Sequence, residues 1–291
     1  MGEPQYVEAA AFQCPVRLGL GRSLLRKPSL ILGMGLLTLL VLFAWIGPSI
    51  VINDPLTAQM AERLQGPSWM YPLGTDHLGR CILSRLMAGA QLTLGVSALV
   101  IATVALIGVP LGLLSGYVGG RLDAIVMRLV DGVSALPEFL LAITIAGFLG
   151  PNLTNLVLAI VMVKWIGYAR VVRSIVLSER EKEYVLAARV AGSSLWTILW
   201  RHLLPQILSP VIVLAALDVG KVILTISALS YLGLGVQPPV PEWGAMLNDG
   251  RPYFQTIPEL MIYPGIGIMI VVIACNLIGE GLRDLLDVRS R

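Results

Sequence analysis

The sequence predicts an all-α integral membrane protein with six transmembrane helices. Of its 291 residues, 56% are hydrophobic and only 13% are charged, and the mean hydropathy is +0.80. Soluble domains carry about 25% charged residues, so a single soluble core cannot bury this much apolar surface. The net charge of +3 is small, and we expect no nucleic-acid partner.

Six apolar segments are long enough to cross a bilayer, which takes about 17 to 25 residues. They run over about 30–46, 92–114, 124–149, 153–169, 207–229 and 260–278. The third is the weakest, because Arg128, Asp131 and Glu138 interrupt it. Residues 1–29 show no convincing signal-peptide cleavage site, so we expect a cytoplasmic N-terminal segment followed by a transmembrane domain over 30–291.

The orientation follows from the basic residues in the loops. Fourteen Lys and Arg residues fall on the side of the N-terminus and four on the other side. Because cytoplasmic loops carry the excess of Lys and Arg, both termini are expected in the cytoplasm. The loop 170–205 then lies in the cytoplasm, and the segments 47–91 and 230–259 lie outside.

The cytoplasmic loop is predicted to form two helices joined at a glycine. Residues 179–189 favour a helix, Gly192 is a natural break, and Ser193 or Ser194 can cap the helix that follows. An elbow of this kind suits docking into a groove on a soluble partner. The alternative is a helical hairpin that lies on the lipid surface.

The same stretch, EYVLAARVAGSSLWTILWRHLLP at 183–205, resembles the EAA loop of ABC importer permeases, E-A-A-x3-G-x9-I-x-L-P. The positions in register are Ala187, Ala188, Gly192, Leu204 and Pro205. Leu186 replaces the glutamate of the pattern and His202 replaces its isoleucine. Glu183, beside Tyr184, is expected to supply the acidic contact instead.

Four other stretches, at 72–94, 127–137, 229–251 and 276–289, are similar to the C-type permeases of dipeptide, oligopeptide and nickel importers. The resemblance implies a type I ABC importer permease fold in a bacterial or archaeal plasma membrane. It also implies a second homologous permease, two ATP-binding subunits that receive the loop, and an extracytoplasmic binding protein.

The chain is expected to be non-catalytic and to bind no cofactor of its own. It has no Walker A motif, since its one Gly-Lys pair, Gly220–Lys221, is followed by valine inside a predicted span. ATP and magnesium are therefore assigned to the partner subunits. The cysteines, Cys14, Cys81 and Cys275, are far apart and form no metal motif, and a lone His77 is more often structural.

Several polar and small residues fall inside the predicted spans. Asp218 and Lys221 are three apart and share a helix face, as a structural ion pair or as part of the pathway. Asp131 and Lys164 are pathway groups or lie near the interfaces. Glycines recur every four residues in span two and predict a close helix contact or a thin gating helix; they are Gly108, Gly112, Gly116 and Gly120.

The substrate prediction rests on the resemblance alone. Five stretches favour nickel or a metal chelate over dipeptides and oligopeptides; they are 153–155, 168–174, 183–189, 217–224 and 242–249. An ion-coupled secondary transporter with a relay through Asp131, Lys164, Asp218 and Lys221 is a distant alternative. An intramembrane serine enzyme is disfavoured, because no histidine falls in a predicted span.

Overall fold

The computed structural model describes residues 27–50 and 53–286, so most of the predicted N-terminal segment lies outside it. Helices account for the regular structure of the described part, with two 3₁₀ turns at Met60–Glu62 and Arg251–Tyr253. The helices are α1 (Pro28–Ile50), α2 (Ile82–Val118), α3 (Gly120–Ser134), α4 (Glu138–Leu149), α5 (Leu153–Glu179), α6 (Glu183–Val190), α7 (Leu195–Tyr231), α8 (Trp243–Gly250) and α9 (Glu259–Leu286).

Five of these helices, α1, α2, α5, α7 and α9, are long and apolar enough to cross a membrane. The residues expected to form one continuous span at 124–149 instead lie in two helices, α3 and α4, which meet at an angle of 88° and count as a sixth span when taken together. Pro137 lies at the break. Proline cannot donate the helical hydrogen bond and disfavours helical geometry in the residue before it, so α3 ends there.

The largest helix contact joins α2 to α5, and three of the four predicted glycines, Gly108, Gly112 and Gly116, form a stripe in it. Gly120 does not share their helix face, because α2 ends at Val118 and Gly120 begins α3 with a φ of +60°. A Cβ atom on Gly112 would lie 2.5 Å from the Ala169 carbonyl oxygen, and one on Gly108 would lie 2.6 Å from the Tyr168 Cβ. Gly116 meets Val176 in the same way. The stripe therefore lets the two backbones touch, which supports the packing interpretation.

The segment between α7 and α9 folds back onto the bundle through α8. Trp243 is buried, and its indole N–H donates to the Leu86 carbonyl of α2 at 3.0 Å. The buried Glu242 carboxylate caps α8 by accepting from the backbone N–H groups of Gly244 and Ala245. This segment is thus ordered and tied to α2.

A cluster of charges joins the segment before α2 to the end of α8. Arg80 donates to Asp76 at 2.7 Å, and both Arg80 and Arg85 reach Asp249 at the end of α8, at 3.4 and 3.3 Å. Both arginines are buried, so their charges need these partners. His77 stacks on Tyr253 with ring centroids 5.7 Å apart, which fits the structural interpretation of that histidine.

The close approach of α2 to α5 predicts that Gly112→Val destabilises the protein. The new side chain would overlap the α5 backbone, and such overpacking typically costs about 1–3 kcal/mol. We expect a melting temperature several degrees lower in detergent. Gly95→Val is the matched control, because a Cβ atom at Gly95 of the same helix has no neighbour within 4 Å. Equal melting temperatures for the two variants would contradict the packing interpretation.

Candidate functional site

The elbow after α6 is a Schellman motif. The Gly192 N–H donates to the Arg189 carbonyl at 3.0 Å, and the Ser193 N–H donates to the Ala188 carbonyl at 3.1 Å. Gly192 has φ of +77°, a conformation that favours glycine, while a Cβ atom there would meet nothing within 4 Å. Backbone geometry, and not lack of space, therefore requires glycine. Ser194 caps α7 by accepting from the Thr197 N–H.

The helix expected at 179–189 is interrupted at its start. The transmembrane helix α5 continues to Glu179, past its predicted end at 169, and α6 begins only at Glu183. Glu179 closes the corner by accepting from Lys182 at 2.7 Å and from the Tyr184 hydroxyl at 2.8 Å. Burial and then this hydrogen bond raise the pKa of Tyr184, which keeps its hydroxyl a neutral donor.

One side of the elbow is fixed in the core. Val185 of α6 and Leu203 of α7 are fully buried in the cluster that also contains Tyr168 and Val172 of α5. Ala188 and Leu204, two of the predicted loop residues, pack partly against the same cluster. The core side of the elbow is therefore continuous with the wall formed by α5.

The other side of the elbow is exposed and partly apolar. Val190 is 90% exposed, and Leu186, at the position where the EAA pattern has glutamate, is exposed as well. The predicted residues on this side are Glu183, Tyr184, Ala187, Gly192 and Pro205. The sequence analysis did not single out Val190. Its position, two residues before the glycine that ends α6, could have indicated it.

The first part of α7 contains a π-helical turn at Ile198–Leu203. The Leu204 N–H donates to the Leu199 carbonyl, five residues back instead of four. Pro205 follows and has no N–H with which to continue the regular pattern. The widened turn brings His202 near Tyr184, with ring centroids 6.3 Å apart.

A half-enclosed cavity of about 520 Å³, with both polar and apolar side chains in its lining, lies between the α3–α4 bend, α5 and α7. Lys164 is 11 residues from the start of α5 and Asp218 is 13 residues from the end of α7, or about 16 to 20 Å at 1.5 Å per residue. The hydrocarbon core of a bilayer is about 30 Å thick, so these groups lie near its middle. Ionised groups at that depth are costly and usually functional.

Ion pairs line the cavity. Lys164 pairs with Glu138 at 2.8 Å, and Lys221 pairs with Asp218 at 3.3 Å. Arg170 donates to the Ser134 hydroxyl at 2.9 Å and lies 3.5 Å from Asp131. Asp218 and Lys221, two of the predicted pathway residues, thus line one cavity. Asp131, the third, lies at its edge and pairs with the lining residue Arg170.

Sequence reasoning did not include three lining residues, Ser134, Glu138 and Arg170, among the pathway candidates. Glu138 had counted only as a weakness of the third span, although a carboxylate within an apolar segment was the available signal. Within residues 27–50 and 53–286, no group of three or more His, Cys, Asp or Glu residues is arranged to hold a metal ion.

Comparison with known proteins matches residues 108–291 to the family described as binding-protein-dependent transport system inner membrane component. The chain is 41% identical to the dipeptide transport system permease protein DppC of Alkalihalophilus pseudofirmus, over 90% of this chain and 86% of that protein. It is 40% identical to the nickel transport system permease protein NikC of Escherichia coli K12, over 88% and 92%. It is 41% identical to the di/tripeptide transport system permease protein DppC of Pseudomonas aeruginosa, over 88% and 86%. The matched region includes both the elbow and the cavity.

Ion pairs hold α3 against α5, and their strength predicts how stable α3 is in the folded protein. Asp123 accepts two hydrogen bonds from Arg173, at 2.5 and 2.6 Å, and one from Ser115 at 2.6 Å. Charge-assisted bonds are worth about 1.5–3 kcal/mol each, so Asp123→Asn is expected to speed amide exchange in α3 by roughly tenfold or more. Asp131→Asn in the same helix, which loses the longer and more exposed contact with Arg170, is the control. Equal exchange in the two variants, measured by mass spectrometry, would refute this role of Asp123.

Proposed function

The chain belongs to the family of binding-protein-dependent transport system inner membrane components and is an inner-membrane permease subunit of an ABC importer, and we propose that its elbow at 183–205 couples ATP hydrolysis in separate subunits to a path along α5 and α7. The excess of basic residues on one side supports a cytoplasmic elbow and two cytoplasmic termini. Family members work with ATPase and binding-protein partners.

The observation that carries this proposal is the two-sided construction of the elbow. Its inner side is buried in the same cluster as Tyr168 and Val172, and its outer side exposes Leu186 and Val190. A partner bound to the outer side therefore displaces a rigid element that packs directly against α5, and α5 forms one wall of the cavity. Packed cores transmit such displacements because they are dense and have few voids.

The proposed assembly has two ATP-binding subunits, which hold ATP and magnesium, a second homologous permease and an extracytoplasmic binding protein. The contact surface for an ATP-binding subunit consists of Glu183, Tyr184, Leu186, Ala187 and Val190. Ala188 and Leu204 pack toward the core and hold this surface in place. Leu186 and Val190 make the contact more apolar than the acidic residue of the EAA pattern would.

The proposed pathway uses the cavity, with Asp218, Lys221 and Lys164 on its walls and Asp131 at its edge. A proton relay through these four residues is not supported, because Lys164 and Asp131 each pair with a different residue, Glu138 and Arg170. The candidate substrates fall into two classes: nickel, free or as a chelate, and short peptides. Relatives named for nickel and for peptides match almost equally well, at 40% and 41% identity.

The coupling role predicts that Gly192→Val separates ATP hydrolysis from transport. A left-handed conformation costs a residue with a Cβ atom about 1–2 kcal/mol, so the elbow must change its shape. In proteoliposomes that contain the assembled transporter, we expect ATP-dependent uptake to fall by roughly tenfold. Membrane insertion and ATPase activity should persist.

The control for that variant is Ala191→Val, because Ala191 is exposed and has a negative φ of −68°. It should transport like the wild type. Wild-type uptake by Gly192→Val would refute the coupling role. Uptake by the wild type that ignores ATP and follows the proton gradient would refute the importer mechanism itself.

The docking surface predicts crosslinks to an ATP-binding subunit. A cysteine introduced by Val190→Cys or Leu186→Cys should form a disulfide with cysteines placed around the cleft of that subunit in the assembled complex. Met60→Cys, which replaces a well-exposed residue of the outer segment, is the control and should form none. If neither elbow position crosslinks while neighbouring surfaces do, the ATP-binding subunit docks elsewhere.

A further inference from the structure

We propose that the cavity holds a two-pole binding site for a zwitterionic solute, in which Lys164 receives the carboxylate and Asp218 receives the ammonium group. The inference rests on the proposed function, because it takes the cavity to be part of the transport path. It goes further by assigning a role to four side chains and a chemical class to the substrate.

The first argument is the asymmetry of the two ion pairs. In one pair the cation is hidden, with the Lys164 side chain 7% exposed and Glu138 56% exposed. In the other pair the anion is hidden, with Asp218 11% exposed and Lys221 68% exposed. The cavity therefore has a fixed positive pole and a fixed negative pole, each covered by an accessible counter-ion.

The second argument is what an entering solute must do. A buried charge cannot be left unpaired without a cost of several kcal/mol, so Lys164 and Asp218 always need a partner. The exposed partners, Glu138 and Lys221, keep most of their contact with solvent within the pair, so turning away into the open cavity costs them little desolvation. A carboxylate can therefore replace Glu138, and an ammonium group can replace Lys221, at almost constant charge balance.

The third argument concerns the solute's chemistry and size. A bare divalent cation would meet three basic side chains, Lys164, Arg170 and Lys221, and two carboxylates, Glu138 and Asp218, that are already paired with lysines. Imidazole is a common nickel ligand and no histidine lines this cavity, whose lysine and arginine nitrogens are protonated and cannot bind a metal. A volume of about 520 Å³ falls within the roughly 300–1,000 Å³ of small-molecule pockets and admits a short peptide with free ends.

The fourth argument is an unused donor at the negative pole. The Tyr168 hydroxyl is buried close to Asp218, but no described residue, Asp218 included, meets strict hydrogen-bond geometry with it. Buried hydroxyl groups nearly always have a partner, and Asp218 is the nearby acceptor. The hydroxyl is placed to hold Asp218 when the carboxylate exchanges Lys221 for the ammonium group of the solute.

The test uses the complete transporter in proteoliposomes and four probes: dialanine, N-acetyl-dialanine, dialanine amide and nickel(II). For each probe, uptake by a variant is divided by uptake by the wild type, which cancels the preference of the binding protein. Lys164→Met should lower dialanine uptake about tenfold and leave dialanine amide nearly unchanged. Asp218→Asn should lower dialanine uptake similarly and leave N-acetyl-dialanine nearly unchanged.

These variants are expected to fold, because each one leaves unpaired only the exposed member of its pair. Lys27→Met and Asp284→Asn are the matched controls, since they make the same two substitutions in an exposed ion pair outside the cavity. They should retain dialanine uptake. Lys164→Arg, which keeps the positive pole, should restore much of the uptake lost in Lys164→Met.

A second measurement works without transport. In the complex carrying Lys221→Cys, free dialanine should slow labelling of that cysteine by a thiol reagent, whereas nickel(II) should not. Equal losses for dialanine and its blocked forms, or protection by nickel(II) alone, would overturn the two-pole site. Either result would leave the importer assignment standing, which fails only if the wild type shows no ATP-dependent uptake of any probe.

Discussion

The contact between α2 and α5 is the constraint on which the remaining structure depends. Gly108, Gly112 and Gly116 remove the side chains that would hold the two backbones apart. In a bilayer, where lipid tails are as apolar as the helices, such close packing is a main source of helix association. It places α5, and α5 carries both Lys164 in the cavity and Glu179 at the corner of the elbow.

The elbow is rigid for reasons that are local as well as tertiary. The Schellman motif at Gly192 and the cap at Ser194 set its angle through backbone geometry. Val185 and Leu203 then fix it to the core. The elbow is therefore not a surface loop held only by its own hydrogen bonds, since it is also packed against α5 and α7. The π-helical turn at Ile198–Leu203 lies within α7, where the elbow leads into the rest of that helix.

The sequence predicts those parts of the molecule that depend on neighbours in the chain. Apolar run length locates the membrane helices, and the glycine and serine at 192 and 194 locate the elbow. The 88° bend between α3 and α4 was not predicted, because a proline such as Pro137 can kink a helix or end it, and packing decides which. The pair between Glu138 and Lys164 also escaped prediction, since these residues are far apart in the chain and only the bend brings them together.

The cavity and the bend depend on each other. With α3 and α4 continuous, Glu138 would lie on a straight span, and nothing in the sequence would direct it to Lys164. The bend presents Glu138 to α5 as an exposed counter-ion, and so lets a lysine lie at mid-membrane depth with a partner that can leave. A path through a membrane needs contacts strong enough to admit a solute and weak enough to release it. Exchange of charged partners meets both needs, because each bond made to the solute replaces one that the protein already had.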